Sequence, residues 1–133
     1  MLAVDYGKKN IGLAYCDELG MTVQPMPSIP NNGARDFLKR LRAAIQSLDI
    51  QELVIGIPLN MDGSRGEAVN RMEVLMDTLN AKLKIPLHGV DERLSTMEAL
   101  EFWKGMSSRQ RKKYRTVDSL AAALILDRYL KES

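Results

Sequence analysis

The sequence predicts an α/β protein of three layers, with a central mixed β-sheet flanked by helices. Three observations carry this expectation. Short apolar runs of strand length recur at residues 2–6, 11–16, 52–57 and 86–90. Elsewhere the apolar positions switch to helical spacing, as in Phe37, Leu38, Leu41, Ala44, Ile45 and Leu48. The first two runs are joined by a tight link, whereas the later ones alternate with helices, which gives a sheet of mixed direction.

Residues 2–6, Leu-Ala-Val-Asp-Tyr, read as a buried strand closed by Gly7. The link Gly7-Lys8-Lys9-Asn10 leads into a second strand at 11–16 and makes the pair an antiparallel hairpin. A third strand is expected at 21–28, where Pro25 and Pro27 confine it to a sheet edge. The first helix covers the periodic run from Phe37 to Leu48. Residues 52–57 form a strand stopped by Pro58, and 60–66 form a glycine-containing loop. Met72, Leu75, Met76, Leu79 and Leu83 mark a second amphipathic helix, followed by a short strand at 86–90. Ser95 and Glu98 have capping-box spacing, so a helix starts there and ends near Gly105. Residues 106–115 are polar and basic and are expected to be a mobile loop. Thr116 is the N-cap of a last helix that runs almost to the C-terminus.

At 133 residues the chain is expected to be one domain, 1–133, large enough for a core without disulfides or a structural metal. Hydrophobic residues make up 45% and charged residues 27%, which suits a globular protein. The single Cys16 excludes an internal disulfide and a thiolate metal cluster. No apolar stretch reaches membrane-spanning length and no secretory leader is visible, so a cytoplasmic protein with no membrane partner is expected. His88, the only histidine, lacks the companions that a zinc site or a serine–histidine pair needs. Walker and dinucleotide fingerprints are absent.

Three acidic residues stand out by context. Asp5 ends a buried strand and shares its face with Ala3, opposite Leu2 and Val4. Capping the following turn is an equally good reading of Asp5 by itself. Asp91 and Glu92 follow the 86–90 strand, and only one of them can face a given site. Either could simply complement the dipole of the next helix. Asp118 lies in the first turn of the last helix, on one stripe with Ala121, Ala122 and Ile125 that should face the sheet. Carboxylates converging on one point repel each other unless a cation joins them. A hard divalent cation prefers such oxygen ligands, and a pair of them is a usual device for cleaving phosphodiesters.

The cations fit a polyanionic substrate better than the net charge of +2 suggests. Lys8 and Lys9 follow Asp5, Arg65 sits in the glycine loop, and Arg93 follows Glu92. Arg109, Arg111, Lys112, Lys113 and Arg115 cluster just before Asp118, where Tyr114 could stack on a base.

The chain resembles the YqgF/RuvX family, described as Holliday-junction-resolvase-like and belonging to the RNase H-like superfamily. Four motifs carry the resemblance over essentially the whole length. Residues 5–14, DYGKKNIGLA, are similar to the family's D-x-G-x-K-R-I-G-x-A. Residues 56–64, GIPLNMDGS, are similar to its G-x-P-x-x-x-x-G loop. Residues 91–96, DERLST, match its E-x-L-S-T element with the glutamate at 92, and 117–126, VDSLAAALIL, match its D-x-x-A-A-x-x-I-L. The resemblance implies an RNase H-like fold and an acidic triad at Asp5, Glu92 and Asp118, selecting Glu92 over Asp91. It also implies a magnesium- or manganese-dependent nuclease with two metal ions in its site. Processing of pre-16S ribosomal RNA ends is the first expectation and resolution of four-way DNA junctions the alternative. The expected partner is structured RNA or branched DNA, bound by a monomer or weak homodimer. Asn10 stands where the family has arginine, so a phosphate contact there is either missing or supplied by Lys8. Two rival classes remain: a nucleotide-binding fold of the sugar-kinase and actin type, for which the chain is short, and a non-catalytic RNA-binding module.

Overall fold

The computed structural model describes residues 1–17, 22–58, 66–92 and 95–132, without the side chains of residues 95 and 96. Its elements follow in the order β1 (Leu2–Tyr6), β2 (Asn10–Cys16), β3 (Val23–Pro30), α1 (Ala34–Leu48), β4 (Leu53–Ile57), α2 (Glu67–Leu83), β5 (Leu87–Asp91), α3 (Ser95–Gly105), α4 (Ser108–Tyr114) and α5 (Val117–Glu132). The strands form one five-stranded sheet in the order β3-β2-β1-β4-β5. β1 is antiparallel to β2, as β2 is to β3, while β1 is parallel to β4 and β4 to β5. The expected mixed sheet is thus present, and its direction changes at β1. β3 lies at the edge, where its prolines need donate no ladder hydrogen bond to a further strand.

Side-chain alternation sorts the strands into two faces. Leu2 and Val4 of β1 pack with Leu53 and Ile55 against Phe37 and Leu41 of α1 and against Met72 and Leu79 of α2. Ala3 points the other way and packs with Val54 and Val90 against Ile125 and Leu126 of α5. Small residues line this second face: Ala14 meets Ala122 and Ala123. They let α5 lie close to the sheet, so its first turn hangs over the strand ends. α3 packs on α5 through Ala99, Leu120 and Ala121.

The first helix starts at Ala34 and the second at Glu67, ahead of the apolar residues that marked them in the sequence; in α2 that added stretch includes the buried Val69. The larger difference concerns residues 106–115. They are not a mobile loop: Ser108–Tyr114 is the helix α4. A capping box starts it, with the Ser107 hydroxyl accepting from the Gln110 N–H at 3.2 Å and the Gln110 side chain accepting from the Ser107 N–H at 2.9 Å. Arg111 then ties it to α3, donating from Nε and Nη2 to the Trp103 carbonyl at 3.0 and 2.9 Å and lying 5.2 Å over its ring. α4 buries no side chain, so it left no apolar period in the sequence.

Candidate active site

Two of the three acidic candidates, Asp5 and Glu92, meet at the carboxyl ends of the parallel strands, and Asp118 stands near them. Asp5 is next to last in β1 and 9% exposed; Glu92 follows β5 directly and is 8% exposed. The Glu92 N–H donates to the Ile57 carbonyl at 3.1 Å, which extends the β4–β5 ladder by one step and aims the side chain inward. Gly56 makes the room. A Cβ at that position would lie 2.9 Å from the Glu92 Cβ and closer still to its Oε2. Gly12 does the same for Asp118. It pairs with Asp5 across β1 and β2, and a Cβ on it would overlap the Asp118 carbonyl. Two glycines inside strands therefore let two carboxylate-bearing segments approach Asp5.

The start of α5 is held independently. Thr116 Oγ1 accepts from the Ser119 N–H at 3.0 Å, the N-cap bond expected from the sequence. The same hydroxyl donates to Ser119 Oγ at 3.2 Å, and the buried Ser119 hydroxyl donates to the Met26 carbonyl of β3. Arg128 braces the other flank, donating to the Asp91 carbonyl at 3.4 Å and pairing with Glu98 at 3.2 Å. The β1–β2 turn is clamped by Asn31, whose Nδ2 donates to the Gly7 carbonyl at 2.8 Å and whose N–H donates to the Lys9 carbonyl at 2.8 Å.

Asp5 and Glu92 are hydrogen-bonded to each other, and their ionisation follows from that contact. Burial is the main cause that pushes Glu92 up to about 9, with the bond to Asp5 and the charges of Asp5 and Asp91 adding to it. Burial also raises Asp5, the bond to Glu92 opposes it, and the charge of Asp118 adds to the rise. Asp118 is raised by burial. Near neutral pH Glu92 therefore keeps a proton, and the two carboxyls titrate as one coupled pair. The Glu92 Oε2 atom is buried without a hydrogen-bond partner. Such an orphaned buried oxygen is costly unless a cation or donor completes it. Asp118 acts on Asp5 through charge rather than contact. Among the described residues, no three His, Cys, Asp or Glu side chains already close on one ion. The donor chemistry fits a hard cation, and the orphaned oxygen supplies an open ligand; Asp118 is the member that stands back.

The sequence-predicted cations divide into three groups. Lys8, Lys9 and Asn10 are exposed on the β1–β2 turn, and Arg109, Lys112, Lys113 and Arg115 are exposed on or just after α4. Arg111 is engaged by Trp103, so it serves the α3–α4 junction instead of standing free for a phosphate. Arg65 and Arg93 lie outside the described residues. Tyr114 is half-buried in the α3–α5 cluster with Lys113 Nζ 5.7 Å over its ring, so it is packed rather than presented to a base. His88 pairs with Glu52 at 3.2 Å and stacks on Tyr129, far from metal-site company. Sequence reasoning missed the supporting residues Asn31, Ser119 and Arg128. It met Gly12 and Gly56 only as motif letters, although a glycine inside a strand is itself a sign of close approach.

The RuvX family, described as Holliday junction resolvase, matches residues 1–132. The chain belongs to this family. A relative from Syntrophus aciditrophicus, named "Putative pre-16S rRNA nuclease", is 38% identical over 98% of this chain and 87% of its own length. A relative of the same name from Lactobacillus gasseri is 36% identical over 98% of this chain and 94% of its own length. The RNase H-like fold of the RuvX chain is shared by the fowlpox virus resolvase, solved with Holliday junction DNA. That protein aligns with TM-score 0.58 and 10% identity over 98% of this chain and 96% of the other. Thermus thermophilus RuvC in complex with a Holliday junction substrate aligns with TM-score 0.54 and 13% identity over the whole of this chain and 96% of the other. Those two likenesses concern the fold alone.

Proposed function

We propose that this RuvX-family protein is a magnesium- or manganese-dependent nuclease that hydrolyses phosphodiester bonds at the ends of pre-16S ribosomal RNA. The observation that carries the reading is the buried Asp5–Glu92 pair with its orphaned oxygen, set at the strand ends beside the first turn of α5. Burying two acids together has no packing value, and here Gly56 must lack a side chain to make room for Glu92.

Asp5, Glu92 and Asp118 would hold the metal. When bound, divalent cations supply Lewis-acid charge at the phosphate and lower the pKa of the attacking water. The chain's own part is threefold. Glu92 would serve as a ligand in its deprotonated form, its proton passing to solvent, and Asp5 would then no longer share a hydrogen bond with it. The N-cap and the Ser119 bond to β3 fix the backbone of Asp118, so its side chain needs only to swing toward Asp5. Lys8 and Lys9 on one side and the α4 cations on the other neutralise the flanking phosphates.

Asp5→Asn tests the assignment. Labelled pre-16S RNA and a labelled four-way DNA junction are incubated with the protein in magnesium and in manganese. RNA cleavage is expected, falling at least about 100-fold in the variant while its thermal unfolding stays cooperative. Paired symmetric cuts in the junction alone would replace the RNA reading with that of a resolvase. Undiminished cleavage by Asp5→Asn would remove the triad from the mechanism.

A further inference from the structure

We propose that the cleft on the opposite face of β1 from Asp5 is a nucleobase pocket, which takes one unpaired base beside the phosphate held at the acidic site. What brings a strand to that phosphate rests on the nuclease reading; the pocket itself does not.

The cleft is about 440 Å³, within the range of small-molecule sites, and opens at the carboxyl ends of β1 and β4. Asp5 and Tyr6 are consecutive on β1 and so point to opposite faces. Asp5 turns toward Glu92. Tyr6 turns toward α1, its ring edge-on to Phe37 with centroids 5.1 Å apart, and forms a wall of the cleft. Both sites open at the carboxyl edge of the sheet, so a strand that crosses this edge from Asp5 can place a neighbouring nucleotide at the mouth of this cleft.

The lining has the composition of a nucleotide site. Pro58 and one stripe of α2, Ala68 and Leu75, add apolar walls to the Tyr6 ring. Two cations, Lys8 and Arg71, stand at the rim. Arg71 is 64% exposed and, among the described residues, makes a loose contact to Glu67 at 3.8 Å, so its guanidinium can turn to an anion. Asn31 closes one side and is immobilised by its bonds to Gly7 and Gly33, which makes that wall pre-formed. An apolar slot with cations only at its lip suits a flat base carrying a phosphate. A base inside a duplex cannot enter. The pocket therefore selects a substrate that is single-stranded or splayed next to the cut, as an RNA end is and a fully paired junction arm is not.

Amide NMR on the whole metal-free protein tests the pocket without cleavage. The probes are AMP, UMP and, separately, inorganic phosphate. Either nucleotide is expected to shift the amides of Gly7, Asn31, Ala68 and Leu75, whereas phosphate shifts only those near Lys8 and Arg71. Ala68→Phe fills the slot and should abolish the nucleotide shifts while sparing the phosphate response; Arg71→Glu, on the surface, should weaken both. Identical responses to nucleotide and phosphate, nucleotide shifts that survive Ala68→Phe, or no nucleotide response at millimolar concentration would each overturn the proposal. A second arm places an abasic sugar beside the scissile phosphate. Its kcat/KM should fall about tenfold in the wild type and no further in Ala68→Phe; an unchanged value overturns the placement. Failure of the nuclease reading would appear as no cleavage of any substrate, leaving the NMR arm to decide.

Discussion

Glu92 is the residue on which stability and the proposed metal binding meet. Its pKa is 4.5 in an unfolded chain and about 9 in the folded protein without metal. Between these values the unfolded state has lost the proton and the folded state keeps it, so folding takes up a proton and stability falls as pH rises. Asp5 and Asp118 are shifted upward too and act in the same direction. In EDTA the Tm should therefore decline from pH 5 to pH 9, and Glu92→Gln should flatten most of that slope because its amide still donates to Asp5. A Tm that rose over this window would contradict the shared proton. The same linkage makes cation binding tighten with pH and release a proton, which isothermal titration in two buffers of different ionisation enthalpy would read. At this scale the sequence was informative because a carboxylate has no reason to sit in an apolar strand. Asp5 stood out on that ground and Asp118 by sharing a helical stripe with apolar residues, while choosing Glu92 over Asp91 needed the resemblance. Asn31 was not legible: it looks like an ordinary turn residue, and its role depends on a turn 24 residues away.

Among the elements, α5 is placed by glycine and alanine rather than by large apolar side chains. Gly12→Ala measures that placement. Alanine favours a strand over glycine by about 0.5–1 kcal/mol, but overpacking against the Asp118 carbonyl costs about 1–3 kcal/mol. The clash should win, giving a lower urea midpoint together with a loss of cleavage as Asp118 is displaced. A more stable, fully active Gly12→Ala protein would show that α5 can back away freely. α4 behaves differently. Its stability comes from the capping box, so Ser107→Ala should cost it about 1 kcal/mol. Since α4 buries no side chain, the loss should be seen as local amide exchange and weaker RNA binding, with the global Tm nearly unchanged. The strands and the helices with an apolar stripe were readable because burial writes a period into the sequence. α4 has no such stripe, and the spacing of Ser107 and Gln110 went unread in the sequence.

Charge is segregated across the whole molecule in a way that the net value of +2 conceals. The carboxyl ends of the strands carry Lys8 and Lys9, and α4 with its cap adds Arg109, Lys112, Lys113 and Arg115, all exposed. The opposite end, around Met1 and the start of β4, is lined by Asp17, Asp49 and Glu52. A polyanion is thus attracted to the end that carries these six cations, which orients the encounter as well as strengthening it. If all six of those cations meet phosphates, log Kd for a single-stranded RNA should vary with log salt with a slope of magnitude about 4, from roughly 0.7 per contact. Lys112→Gln with Lys113→Gln removes two positive charges and should lower the slope by about 1.4. Asp17→Asn with Asp49→Asn changes the net charge by the same amount in the opposite sense and should leave the slope where it was; Asn tolerates the left-handed backbone at position 49, so the fold is not strained. Fluorescence anisotropy between 50 and 300 mM salt would check both pairs. Equal and opposite changes in slope would mean that the RNA senses only net charge and that the cationic end is not its docking surface.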